Sequence, residues 1–130
     1  MRDERRKDRE QNSRSVLPSA FCLHSSLRPH PLVIMLTHIV VWKYRRDIEQ
    51  AVREEHVARL RHLANVITEI ESLSVGFDVL HLPRSFDTGL VVVFRDRDAL
   101  DAYTIHPEHV AVATLGRSIS EHIASVDFES

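Results

Sequence analysis

The chain has 130 residues, 43% hydrophobic and 28% charged, with a formal net charge of −2. That is the size and balance of one ordinary globular domain. The charge argues against a protein that binds nucleic acid by neutralising phosphates. No apolar run reaches the roughly 20 residues of a membrane span, and the lone cysteine, Cys22, forbids an internal disulfide and points to a reducing cytoplasm.

Residues 1–34 open with dense mixed charge, then Ser, Pro and Arg, with no helical or strand period. They read as a disordered N-terminal extension, with Met35 as an alternative start directly before the first ordered pattern. Such a segment is too acidic for a transit peptide and has no clean apolar stretch for a secretory signal. The domain is expected over 35–130.

Leu36–Tyr44, "LTHIVVWKY", is rich in β-branched and aromatic residues and predicts a strand. From near Asp47, the positions Ile48, Val52, His56, Leu60, Leu63 and Ile67 recur at helical spacing and predict an amphipathic helix. "ESLSVGFDVL" (71–80) predicts a second strand with a bulge at Gly76. "HLPRSFD" is a loop, and "TGLVVVFRD" a third strand. "DRDALDAYTI" predicts a short helix starting near Asp96 or Asp98. "HPEHVAVATLGRSISEHI" is mostly helical, and "ASVDFES" alternates Ala124, Val126 and Phe128 as a last strand. The order β-α-β-β-α-β is the ferredoxin-like α+β arrangement. "HIVVW" and "GLVVVF" are apolar on both faces, yet two helical segments cover only one face of a four-stranded sheet. The other face requires a partner, most simply a second copy of the chain, giving a homodimer with an α/β-barrel interior between the sheets.

The segment "AYTIHPEH" concentrates the polar chemistry. Pro107 suits the first turn of a helix, which makes His106 the cap and puts His109 in the first turn. A helix N-terminus disfavours imidazolium and keeps His109 neutral. A neutral imidazole can take a proton from an acidic C–H while a phenol, Tyr103, hydrogen-bonds the developing enolate. The plain alternative for Tyr103 is half-buried core. His106 and His109 are two potential zinc ligands without a third, so no metal is assigned. His38 lies in a buried strand and needs hydrogen-bond partners whatever its role. Trp42 shares its face. His56 is balanced between core edge and cavity wall, while His62 and His122 look like surface residues.

These segments together, with His38 of the first strand and "AYTIHPEH" as the most specific parts, resemble the stress-responsive A/B barrel domain family over about Met35 to Phe128. The resemblance implies the ferredoxin-like fold with two chains pairing into a barrel. It implies no single activity: many members have none assigned, and a plant subgroup acts as polyketide cyclases. In that subgroup the tyrosine and second histidine of the motif are the catalytic pair, matching Tyr103 and His109 here, with His38 beside the same cavity. His38, Trp42, His56 and Leu60 are the expected ligand contacts. One departure is that "EEHVARL" places His56 and small Val57 where a long alkyl polyketide favours bulky aromatics, leaving smaller or more polar ligands. The expectation is a dimer binding a small apolar or keto-type ligand in the barrel. The alternatives are a cofactor-independent cyclase-like or enolising enzyme and a stress-associated structural oligomer.

Overall fold

In a computed structural model of the protein, residues 33–130 are described; the reading of the N-terminal extension concerns residues almost wholly outside them. The elements are β1 (Leu36–Tyr44), α1 (Gln50–Val66), β2 (Ile70–Phe77), β3 (Thr88–Phe94), α2 (Arg97–Ile105), α3 (Pro107–Ile119) and β4 (Ser120–Glu129). The strands form one sheet in the order β2-β3-β1-β4 with every neighbour antiparallel. This is the ferredoxin-like arrangement, with its second helical segment broken at His106–Pro107.

Strand alternation divides the sheet into two faces. Leu36, Trp42 and Tyr44 of β1 join Leu90, Val92 and Phe94 of β3 under the helices, where Leu60, Leu63 and Ile67 close the core. The opposite face presents Thr37, Ile39 and Val41, their cross-strand partners Val93, Val91 and Gly89, and Phe128, Val126 and Ala124 of β4. Among the described residues no helix covers it, and Val91, Val126 and Phe128 are exposed there. The apolar character on both faces of β1 and β3 thus has one covered and one uncovered side.

Local details depart from the sequence reading in four places. The first helix starts at Gln50 rather than near Asp47, because Asp47 accepts from the Arg45 guanidinium instead of capping, and Glu49 occupies the cap position without a side-chain bond. The β2 irregularity falls between Ile70 and Ser72, while Gly76 pairs in register with Gly89. β2 also ends at Phe77, not Leu80. The Asp78 carboxylate accepts the His81 backbone N–H at 2.6 Å, and His81 adopts a left-handed φ of 52° in the resulting turn. Finally β4 begins at Ser120, four residues early. A register shift at Lys43/Tyr44 lets Ser120 pair with Tyr44, and Arg45 N–H reaches Ile119 O at 2.9 Å. Helix starts at the broken segment follow the sequence: Asp96 accepts Ala99 N–H at 2.9 Å, and His106 Nδ1 accepts Glu108 N–H at 3.1 Å.

Candidate functional site

Tyr103 ends α2 and His109 sits in the first turn of α3, so the break at Pro107 folds one against the other with ring centroids 4.2 Å apart. The Tyr103 ring also packs against Phe94 at 4.9 Å and meets the edge of His38 at 5.8 Å. Tyr103 is 1% exposed, and no described hydrogen bond engages its hydroxyl. Burial raises its pKa, keeping it a protonated donor.

His109 is half-buried. Its Nδ1 lies 3.0 Å from the Thr104 carbonyl oxygen. A carbonyl only accepts, so Nδ1 carries the proton and Nε2 of the neutral ring holds a lone pair. Its pKa is lowered chiefly by burial, and the nearby His38, Arg117 and His106 lower it further, against the opposing Thr104 bond. Burial is therefore the main reason this imidazole stays neutral at pH 7.

His38, facing the helices from β1, bonds through Nδ1 to the Asp127 carboxylate on the neighbouring strand β4. The pair joins the cluster from the sheet side, giving a chain Asp127, His38, Tyr103, His109. A cavity of about 510 Å³ reaches Asp127 between Leu36, Leu100 and Phe128, with Arg97 and Glu129 also on its wall. Asp127 was not singled out by the sequence reading. It lay inside the expected last strand, but its pairing with His38 follows from which strand neighbours β1, which neither strand's own pattern contains.

Trp42 and His56 form a second cluster, four residues along β1 and hence roughly 13 Å away. The Trp42 and His56 rings meet edge to face at 5.0 Å. The Tyr44 hydroxyl lies 2.7 Å from His56 Nδ1 and 2.8 Å from Thr88 Oγ1. His56 is fully buried, its Nε2 has no partner among the described residues, and its pKa falls to about 4 by burial first and by Arg59 second. Leu60 is a core residue one turn on. Gly116 of α3 makes this packing possible, since a Cβ there would lie 2.9 Å from Trp42 Nε1 and 3.0 Å from His56 Nε2. So three of the six singled-out residues, His38, Tyr103 and His109, converge; Trp42 and His56 converge elsewhere; Leu60 packs in the core. All lie on the helix-covered side of the sheet, not on the face a second sheet would enclose as the barrel interior. Tyr44 and Thr88 were missed, although Tyr44 shares the i, i+2 face of His38 and Trp42.

Among the described residues no group of three or more His, Cys, Asp or Glu is placed to hold a metal, and no helix is long and apolar enough to cross a membrane.

The model of the Stress responsive A/B Barrel Domain matches residues 36–130. Olivetolic acid cyclase from Cannabis sativa is 27% identical over 93 residues, covering 70% of this chain and 92% of that protein. A dimeric protein of unknown function with a ferredoxin-like fold from Bacteroides fragilis is 28% identical, with a TM-score of 0.67 over 74% of this chain and 96% of its own. The hydroxynitrile lyase of Passiflora edulis, at 17% identity, shares the fold, with a TM-score of 0.68 over 74% of this chain and 93% of its own.

Proposed function

Because this chain belongs to the stress responsive A/B barrel domain family, we propose that it is a cytoplasmic homodimer that binds a small keto-type carbon acid and enolises it without a cofactor. The observation that carries the reading is the pairing of a neutral, tautomer-fixed His109 with a buried, protonated Tyr103. His109 Nε2 takes the proton from the carbon between two carbonyls, and the Tyr103 hydroxyl donates to the enolate oxygen as charge develops there. Asp127 holds the His38 ring against the Tyr103 edge. The ligand enters by the cavity at Asp127, whose mixture of Leu36 and Leu100 with Arg97 suits a short molecule with a polar end. The uncovered apolar sheet face supports the dimer, as do the relatives described as dimeric. A relative that is a cyclase supports the enolate chemistry.

The test is deuterium incorporation from D2O into ethyl 2-methylacetoacetate, followed by proton NMR. General acid–base groups contribute roughly 100-fold or more, so His109→Ala should lower the protein-dependent exchange by about that factor with the melting temperature nearly intact. Exchange unchanged in His109→Ala and Tyr103→Phe would overturn the reading. A large loss of stability without any wild-type exchange would favour the structural oligomer, for which the near-complete burial of Tyr103 speaks.

A further inference from the structure

The chain contains three glycines, and two of them, Gly76 and Gly89, are directly opposed across β2 and β3. Neither has a positive φ, so no turn requires them. Glycine within a strand costs stability and often marks a place where another group approaches the backbone. Here the pair leaves a floor without side chains on the uncovered face. Above it lies a trough of about 480 Å³, walled by Val41, Phe77 and Phe86, within the roughly 300–1,000 Å³ of ligand pockets. Val79 and Leu80, 82% and 69% exposed, overhang its mouth from the loop after β2. The polar residues at its edge are already engaged: Asp78 accepts from the His81 backbone, and Thr88 bonds Tyr44 beneath the sheet.

The side chains of this face fall into three layers along the strands. The first is Ser72, Val93, Thr37 and Phe128; the second is Ser74, Val91, Ile39 and Val126; the third is Gly76, Gly89, Val41 and Ala124. In the first two, bulk on β4 matches small residues on β2. A two-fold axis parallel to the strands reverses the strand order while keeping each layer at its level, so β4 of one copy meets β2 of the other and the sizes complement. The third layers of the two copies then face each other, and neither has the side chains to fill the space.

We propose that the dimer holds, at the Gly76–Gly89 end of its inter-sheet space, a second binding site for a flat, uncharged apolar molecule, separate from the Tyr103–His109 centre. The inference rests on the homodimer of the preceding section but not on its chemistry. The second copy supplies the roof, its Ala124 over Gly76 and its Val41 over Gly89. The entrance is the loop carrying Val79 and Leu80.

The experiment titrates the wild-type dimer with N-phenyl-1-naphthylamine, a flat uncharged fluorophore, and follows blue-shifted emission alongside sedimentation. Saturable binding is expected. Gly89→Val should weaken it at least tenfold with the dimer retained, because Val41 Cγ1, 4.0 Å from a Cβ at that position, leaves room for the variant to fold. Gly76→Val, with nothing within 4 Å of its Cβ, is the second such variant, and His109→Ala should bind the probe normally. No saturable binding by a sedimenting dimer, unchanged affinity in both valine variants, or binding lost in Leu100→Trp instead would each overturn the proposal while leaving the enolisation reading standing. A wild-type monomer would remove the dimer and this site together.

Discussion

His56 ties the stability of the domain to pH with a sign and size that follow from its surroundings. Its ring is fully buried against Trp42 and takes Tyr44 at Nδ1; the charged groups around the cluster are Arg59, the Arg53 guanidinium over the Tyr44 ring, and Asp87, bound to the Tyr44 backbone N–H. Protonation in the folded state is held to about pH 4, against 6.5 in the unfolded chain. The depressed value means that the unfolded state binds the proton first. The folded state therefore keeps its full advantage above pH 6.5, loses it progressively as pH falls to 4, and loses no more below. At 1.36 kcal/mol per unit the loss is about 3 kcal/mol, a large share of the 5–15 kcal/mol typical of a domain. Denaturant unfolding at fixed protein concentration, from pH 7 to 4, measures it in the wild type and in His56→Phe. The difference between the two proteins isolates His56 from the carboxylates and from His109, whose pKa is lowered too. That difference should change by about 3 kcal/mol, with most of the change between pH 6 and 4.5. A difference that stays flat across this range would refute the assignment of His56 as a buried neutral base.

Two further outcomes follow from the packing. Gly116→Ala sets a methyl 2.9 Å from Trp42 Nε1 and 3.0 Å from His56 Nε2, two rings with no open space to retreat into; overpacking costs about 1–3 kcal/mol against a helix-propensity gain of about 1 kcal/mol, so denaturant midpoints should fall, and a more stable variant would contradict the contact. Asp127→Asn removes the charge from the bond to His38 Nδ1; a hydrogen bond to a charged group contributes about 1.5–3 kcal/mol when buried, and at this half-exposed position the exchange rate of ethyl 2-methylacetoacetate should fall roughly fivefold to tenfold with a shifted pH profile, an unaltered rate and profile counting against a positioning role.

The fold was legible because its signals are local and repeated. β-branched runs, the 3.6-residue stripe from Val52 to Leu63 and Pro107 at a helix start each act within a few residues, and each held. The misplaced boundaries lie where a tertiary contact decides. Ser120–Ile123 has helical composition, yet pairing with β1 draws it into the sheet. Gly76 invited a bulge, but opposite it stands another glycine in register, which no reading of β2 alone contains. The site was legible in its residue types and only partly in its grouping. Tyr103 and His109 are six residues apart on either side of one break, so their meeting follows from the chain. Asp127 reaches His38 across 89 positions, and Tyr44 reaches Thr88 across 44; such pairs depend on strand order, which periodicity does not encode.

The two clusters explain why the polar residues of β1 are spaced as they are. His38, Trp42 and Tyr44 share the helix-covered face, and every polar atom there must be matched or left at a cost. At the Tyr103 end the matches are partial: His38 has Asp127, which lines a cavity with Leu36 and Leu100, but the Tyr103 hydroxyl and His109 Nε2 have no bond among the described residues. At the Trp42 end the Tyr44 hydroxyl bonds His56 Nδ1 and Thr88, His56 Nε2 lacks a partner among the described residues, and Gly116 brings α3 against both rings. A group left partly unmatched next to a cavity can meet a ligand, whereas one matched inside packed rings contributes to stability and charges only on acidification. The same strand therefore borders the proposed site at one end and a closed core at the other, and the proposed base is the histidine whose free nitrogen is not already enclosed.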